Sequence, residues 1–539
     1  MAERRYKYER FGVMIDMSRN AVMNLPSLKK FIAILKKMGY NCVMLYTEDT
    51  YEIKEEPYFG YLRGRYSEEE LRELDDYAYS LGVELIPCIQ TLAHLNAYIR
   101  WGKTPVDCND ILLTDDERTY SLIDKMLAAS RRCFRSELIH LGMDEAHMLG
   151  RGRHLSVYGY EKSEDIMNRH LKRVRELADK HGYKPMIWSD MYFRSWNNGS
   201  YSAGADGIIP EHVKADYDKG VIPVYWNYYS KNEGDYDKMF SAHKQLSDNV
   251  WFAGGAWCWS GIIPHNRYSL DTMLPAMRSC RKNKIKNAFI TLWGDDGGEC
   301  SHFSQLPSLL HIIEYAKGNE DMDSIRAKFK RLFGISYDSF IAIDKPNSVT
   351  GAAGSENPSK YMLYSDLFLG FLDYTVSEGI GEKYAEVAKE LDAVAKSSRT
   401  FGYVFKTAAR LCDVLEIKYD LGVKTRRAYK EHNTEELSRL AELYSELARR
   451  IKKLHTTFSY QWHKDNKPHG FDVQDIRLCG IMGRISALRG RLLDYINGKV
   501  NIIEELEEDI LPYGRYAEGV AIRCNSYREY TSPNVTTHN

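Results

Sequence analysis

Eight short apolar runs separated by amphipathic stretches fill the first 315 or so residues, and few folds accommodate such a pattern. The runs cover 12–16, 42–46, 83–89, 138–142, 185–189, 222–226, 251–256 and 288–292. Apolar runs this short are strand-like. The stretches between them carry helical spacing, as over 28–38, where apolar residues recur every three or four positions. Ser67 followed by Glu70 is a capping-box signature, and Leu81-Gly82 closes the helix it opens. Eight strand–helix repeats predict an α/β chain folded as a (β/α)8 TIM barrel. A doubly wound open sheet is the rival, but it usually has fewer strands. It also often has a glycine-rich phosphate loop after the first strand, which is missing here.

Beyond about residue 318 the strand signal ends and long helical patterns follow at 383–397, 401–423, 433–458 and 475–496. The expected organisation is a barrel over 1–317 and an α-helical C-terminal domain over 318–539, with a Gly/Ser/Asn-rich piece at 348–359 near the junction. The stretch 462–470, which contains Trp462, His463 and His469, is polar and aromatic for a helical connector. It reads equally as a flap over the barrel mouth, a subunit contact or an exposed loop.

Lys and Arg total 74 against 75 Asp and Glu, so nothing in the charge balance attracts nucleic acid or an anionic membrane. Neither an apolar window long enough to span a bilayer nor a signal-peptide pattern after the opening MAERRYKYER is present. The ten cysteines are scattered without a CxxC pair, and Cys42, Cys88 and Cys258 lie in apolar runs, as buried free thiols do. A cytoplasmic protein is the expectation, with a homodimer left open.

In a TIM barrel the chemistry sits at the C-terminal ends of the strands. Those ends carry Asp16 and Arg19, Glu48-Asp49, Gln90 then His94, Asp144-Glu145 with His147, Trp188 and Asp190, Tyr225-Trp226-Asn227, Trp257 and Trp259, and Trp293 with Asp295-Asp296. Five of the nine tryptophans fall there among carboxylates, which favours a sugar site: indoles stack on pyranose C–H faces and carboxylates or Asn bond hydroxyls. A metal-dependent hydrolase would need several His and carboxylates converging on one ion. His94, His140 and His147 lack such partners, so neither metal nor cofactor is expected; His140, ahead of its strand's end, suits the barrel interior.

His140-Leu-Gly142-Met143-Asp144-Glu145 resembles the His-x-Gly-Gly-Asp-Glu signature of family 20 glycoside hydrolases, the β-N-acetylhexosaminidases. The first strand through Arg19, Ala93-His94 followed by Trp101, Tyr225-Trp226-Asn227 and Leu292-Trp293-Gly-Asp295 resemble further family segments in order, covering roughly 10–300. The resemblance implies exo-acting, retaining release of N-acetylglucosamine or N-acetylgalactosamine, with the substrate's acetamido carbonyl as nucleophile and an oxazolinium intermediate. It also implies residue roles. Glu145 would be the general acid/base, its pKa raised by apolar surroundings and Asp144, and Asp144 would polarise the acetamide. Tyr225 would hold the acetamido oxygen, while Trp188, Trp257 and Trp293 would wall the pocket. Asn227 and Asp295 would bind outer hydroxyls, His94 would support the acid, and Glu48 or Asp49 would orient His94 or the carboxylate pair.

The sequence also departs from the family pattern. Met143 replaces the signature's second Gly. Phe11 stands where the family has its sugar-gripping arginine, which leaves that role between Arg10 and Arg19. With the barrel starting near residue 10 and a long helical part after it, the layout is similar to the divergent, cytoplasmic, hexosaminidase D-like branch. Two alternatives are a non-catalytic carbohydrate-binding barrel and an O-GlcNAcase-type hydrolase. Retention of both acids speaks against the first; the second uses an Asp-Asp pair, which Glu145 disfavours.

Overall fold

The structure, a computed structural model, describes residues 6–204, 207–513, 522–524 and 526–532. Eight parallel strands close a barrel: β1 Arg10–Asp16, β2 Cys42–Tyr46, β3 Glu84–Cys88, β4 Leu138–His140, β5 Lys184–Trp188, β6 Ile222–Trp226, β7 Trp251–Gly255 and β8 Asn287–Leu292. They pair in chain order, and β8 returns to β1 with Val13 beside Ile290, so no edge is left open. A small antiparallel hairpin, Val106–Cys108 with Ile111–Leu112, lies between β3 and β4.

Strand parity decides what fills the barrel. Met14, Met44, Tyr46, Ile86, Cys88, Met186, Trp188, Val224, Trp251, Ala253 and Phe289 form its packed interior. Alternate residues point outward at the surrounding helices. The helix Leu25–Met38 is representative: Asn24 caps it, Pro26 sits in its first turn, and Gly39 ends it at φ +113. Its Leu28, Phe31, Ile32, Leu35 and Met38 form one buried stripe. The capping box of Ser67 and Glu70 is present in both directions.

The chain divides into two compact units. The first is Met1–Ala256, Ser269–Trp293 and Ser308–Ile325; the second is Trp257–Tyr268, Gly294–Pro307 and Arg326–Asn539. Long helices dominate the second unit: Ile380–Ser397, Gly402–Lys430, Thr434–Asp465 and Phe471–Ile496. Trp462 is not in a connector. It is buried in the last turns of its helix, where its indole donates to the Lys467 carbonyl at 3.0 Å. Asp465, one turn on, accepts from Ser301 at 2.5 Å and Tyr403 at 2.6 Å. Among the described residues no helix is long and apolar enough to cross a membrane, and no cluster of three His, Cys, Asp or Glu is arranged to hold a metal ion.

Candidate active site

Beyond His140 the chain leaves β4 in a turn with unusual backbone geometry. Gly142, Met143 and Glu145 have φ of +73°, +69° and +52°. Only glycine enters that region freely; a side chain there costs of order 1 kcal/mol and must be held by its surroundings. Three N–H groups supply the hold: Gly142 donates to His140 Nδ1 (3.1 Å), Met143 to Gln90 Oε1 (3.1 Å) and Glu145 to Asp190 Oδ2 (3.0 Å). Gln90 turns its amide nitrogen to Asp144 Oδ1 at 2.7 Å and to the Tyr46 hydroxyl at 2.9 Å. A Cβ on Gly142 would lie 2.0 Å from Gln90 Oε1, so glycine there lets Gln90 reach both neighbours. Where the family signature has glycine, Met143 keeps the left-handed backbone and buries its side chain.

The two carboxylates end up in different surroundings. Asp144 is enclosed, with its side chain 13% exposed, whereas Glu145 is 42% exposed. His94, itself at φ +61°, sets Nε2 at 3.3 Å from Asp144 and 3.8 Å from Glu145, ion-pair distances away from ideal hydrogen-bond geometry. It therefore sits closer to Asp144 than to the acid it was expected to support. Burial alone would lower the His94 pKa, but Asp144 and then Glu48 outweigh it and raise it to about 9. In return His94 and the Gln90 amide overcome burial and hold Asp144 below the usual carboxylate range. Asp190 behaves oppositely: burial and then the charge on Asp144 push it up to about 7.

Arg19 stands beyond the C-terminal end of β1, with Nη2 at 3.2 Å from Glu48. Glu48 also accepts from Tyr46 at 3.0 Å; burial raises its pKa against the pull of Arg19. Of the two acids after β2, Glu48 is the one that acts on His94, while Asp49 is taken by Arg63 at 3.4 Å. Trp188 is fully buried, with its ring against His140 at 4.4 Å and Trp293 at 6.0 Å. Trp293 meets Tyr46 edge-on at 4.8 Å, so these rings form an aromatic floor. Trp226 stacks on Tyr228 at 5.3 Å, lies 5.5 Å from Tyr201, and directs its indole N–H at Asp190 at 3.4 Å. His140 is an interior side chain, as its place before the strand's end suggested, and burial lowers its pKa to about 3.

Three expected site residues are elsewhere. Arg10 is the first residue of β1, at the opposite end of the barrel, bonded to Glu84 at 2.6 Å; a residue that opens a strand cannot reach the end where Asp144 lies. Tyr225 has the parity of the outer face: its ring packs on His243 (5.0 Å) and Phe240 (5.5 Å) of the helix Glu233–His243, while Trp226 takes the inward direction. Asn227 donates to the Tyr225 hydroxyl and accepts the N–H groups of Tyr229 and Ser230, so its side chain builds a turn. Tyr228, unlike Tyr225, feels the charges of the acids, as Tyr46 and Tyr201 also do. It hydrogen-bonds Trp293, and the charges of Asp144 and Glu145 add to burial in raising its pKa.

Gln90, Asp190 and Tyr228 are thus site residues that the sequence reading did not assign. Gln90 and Asp190 each lie two residues past a strand, and that position was the available signal. Trp257, Trp259 and Asp295 fall in the second unit. There Trp257 is buried against Trp259 at 4.3 Å, and Asp295 is exposed beside Asp296. Asp296 and Glu299 pair with Lys360 (2.9 Å each) and Arg477 (2.8 and 3.1 Å), which anchors that loop.

Two family descriptions match: "Glycosyl hydrolase family 20, catalytic domain" over residues 6–202 and "Glycoside Hydrolase 20C C-terminal domain" over 338–523. Hexosaminidase D of Homo sapiens is 23% identical over 379 residues, covering 64% of this chain and 72% of that protein. Beta-hexosaminidase 3 of Arabidopsis thaliana is 23% identical over 207 residues, 35% of this chain and 38% of that one. Among solved structures, the GH20 exo β-N-acetylglucosaminidase from Vibrio harveyi in complex with N-acetylglucosamine aligns with a TM-score of 0.47 at 14% identity, over 62% of this chain and 58% of that one. The chain therefore spans well under two thirds of the plant and Vibrio proteins. Two family descriptions that lie one after the other along the sequence, the first of them containing the Asp144-Glu145 pair that follows a barrel strand, show that the chain belongs to glycoside hydrolase family 20, the β-N-acetylhexosaminidases.

Proposed function

We propose that this chain releases terminal N-acetylglucosamine or N-acetylgalactosamine from β-linked glycans or glycosides, with retention and with the substrate's acetamido group as nucleophile. The observation that carries the reading is the unequal setting of the two carboxylates. Asp144 is enclosed, oriented by Gln90 and kept anionic by His94. It suits a partner for the acetamido N–H, which becomes more acidic as positive charge develops on the ring being formed. Glu145, half-exposed beside it, suits proton transfer to a leaving group.

In the first step the acetamido oxygen attacks the anomeric carbon and the glycosidic C–O bond breaks. The proton of Glu145 goes to the departing oxygen. The oxazolinium cation is balanced by Asp144. Water then attacks the same carbon, Glu145 takes its proton, and the acetamide reforms, so two inversions give retention. In this reading Tyr228 holds the acetamido oxygen, the rings of Trp188 and Trp293 underlie the sugar, and Arg19 is the arginine that grips hydroxyls. The ten cysteines, all free, suit a reducing cytoplasm.

A thiazoline mimic of the bicyclic intermediate is expected to inhibit competitively. An aryl N-acetyl-β-glucosaminide is expected to be cleaved at least a thousandfold faster than the matching glucoside. Equal rates on the two would end the claim that the acetamide takes part.

A further inference from the structure

The segment that carries Glu145 continues through His147 to Arg151, and these two residues form one wall of a second cavity, about 340 Å³ in volume. Its other walls come from the first turns of the helix Ser163–Lys180 and from the helix Asp190–Trp196. His147 bonds the hydroxyl of Tyr201, whose ring lies on Trp226 beside Asp190, so one residue of the cavity wall is linked by contact to the surroundings of the acid. Burial and then the charge of Arg194 lower the His147 pKa, which places that guanidinium close to the shared wall.

The basic residues lining this cavity face a common space. Arg151, Lys162 and Arg194 line it, and none of the three has a carboxylate partner among the described residues. Arg151 donates only to the carbonyls of Gly150 and Glu161, and Arg194 only to that of Gly199. Lys162 stands at the start of a helix of 18 residues whose first-turn N–H groups have no side-chain cap. Tyr192 is 6% exposed and lines the same cavity, and its hydroxyl has no hydrogen-bond partner. A buried hydroxyl left unbonded is unfavourable, and a ligand acceptor would relieve it. Two acids oppose these groups: Glu164, 3.9 Å from His212, and the exposed Asp216.

We infer that this cavity is the subsite for the leaving group and that it selects leaving groups bearing an anionic substituent, a carboxylate, sulfate or phosphate. The inference rests on the proposed hydrolysis at Asp144 and Glu145 and names the substrate class for that site. Three cations without carboxylate partners attract an anion from water over about a Debye length, although the Arg151 guanidinium also lies 4.9 Å from the Tyr160 ring, and the Tyr192 hydroxyl with the uncapped helix turn supplies directed donors. Partly exposed charges each contribute modestly, so the selectivity expected is about tenfold.

The test uses aryl N-acetyl-β-glucosaminides whose leaving groups differ only in a neutral, carboxylate, sulfate or phosphate substituent, together with their non-hydrolysable thioglycosides. For the intact chain, kcat/KM and thioglycoside affinity by calorimetry should favour at least one anionic member about tenfold, and the preference should shrink with added salt. The member that gains most identifies the anion. Lys162→Met and Arg194→Gln, checked for native circular dichroism, should each cut the anionic-to-neutral ratio two- to threefold, while Lys162→Arg keeps it. Equal constants across the series, or a ratio that both neutral variants leave intact, would overturn the inference. If no member is hydrolysed, the proposed function falls, while the thioglycoside titration still reads the anion preference on its own.

Discussion

The two ends of the barrel use the same residue types to opposite effect. At the end where the strands start, a cavity of about 690 Å³ is ringed by charges that each have a partner: Arg10 with Glu84, Arg135 with Asp75, Lys184 with Glu137. These pairs are solvent-exposed at least in part and their local backbone is relaxed. Such pairs contribute little individually but leave nothing unsatisfied. At the other end Glu48, His94, Met143 and Glu145 all have positive φ, and Asp144, Asp190, Glu48 and His94 are brought together away from water. Strain and crowded charge are tolerated there because neighbouring hydrogen bonds hold them. In the reading proposed above, positive-φ backbone and enclosed charge distinguish the end that carries Asp144 and Glu145.

The largest expected effect is at the carboxylates. Glu145→Gln and Asp144→Asn should each lower kcat by about three orders of magnitude on an aryl N-acetylglucosaminide, with thermal unfolding little changed. A loss below tenfold in either would remove the proposed division of labour. Next come the groups that hold the turn. Gln90→Ala frees Asp144 Oδ1 and the Met143 N–H, and Asp190→Ala frees the Glu145 N–H; each should cost about a hundredfold in kcat. Asp190→Asn, which keeps an acceptor for that N–H, should recover much of the loss.

Smaller, and sharper on geometry, is the pair of tyrosines. Tyr228→Phe should lower kcat/KM about tenfold or more, whereas Tyr225→Phe, on the helix-facing side, should change it less than threefold; the reverse order would return the role to Tyr225. The pH dependence follows from His94. Its folded pKa is raised above the ordinary value of 6.5, so the stabilisation it contributes is complete below 6.5 and is lost as pH rises through about 9. Activity should fall on that same limb, and His94→Gln should remove the limb along with much of the rate. The smallest effect tests the quiet end. Arg10→Gln should leave kcat/KM within twofold and cost about 0.5 kcal/mol in urea unfolding, whereas Arg19→Gln should raise KM severalfold.

Much of this was legible in the sequence. The eight apolar runs gave the barrel strands, because a strand covered on both faces must be apolar throughout, and the capping box at Ser67 and the stop at Gly82 marked a helix in place. Asp144-Glu145 was legible because a strand end followed by two acids is a local pattern. Other features depend on groups distant in sequence. A linear cut near 317 has no means of expressing two loops, 257–268 and 294–307, that group with the later helices. Trp462 read as part of a polar connector because the residues after it are polar, yet packing decides its burial.

What the sequence by itself determined is the order of strands and the identity of the acids, since both follow from periodicity and adjacency along the chain. The tertiary structure alone decided direction. Strand parity sends Trp226 inward and Tyr225 outward, strand polarity puts Arg10 at one end and Arg19 at the other, and barrel closure brings Gln90 and Asp190 from neighbouring strands to either side of Asp144-Glu145. One residue of offset reverses a side chain on a pleated strand, and no motif encodes that offset until the ring of eight strands has closed.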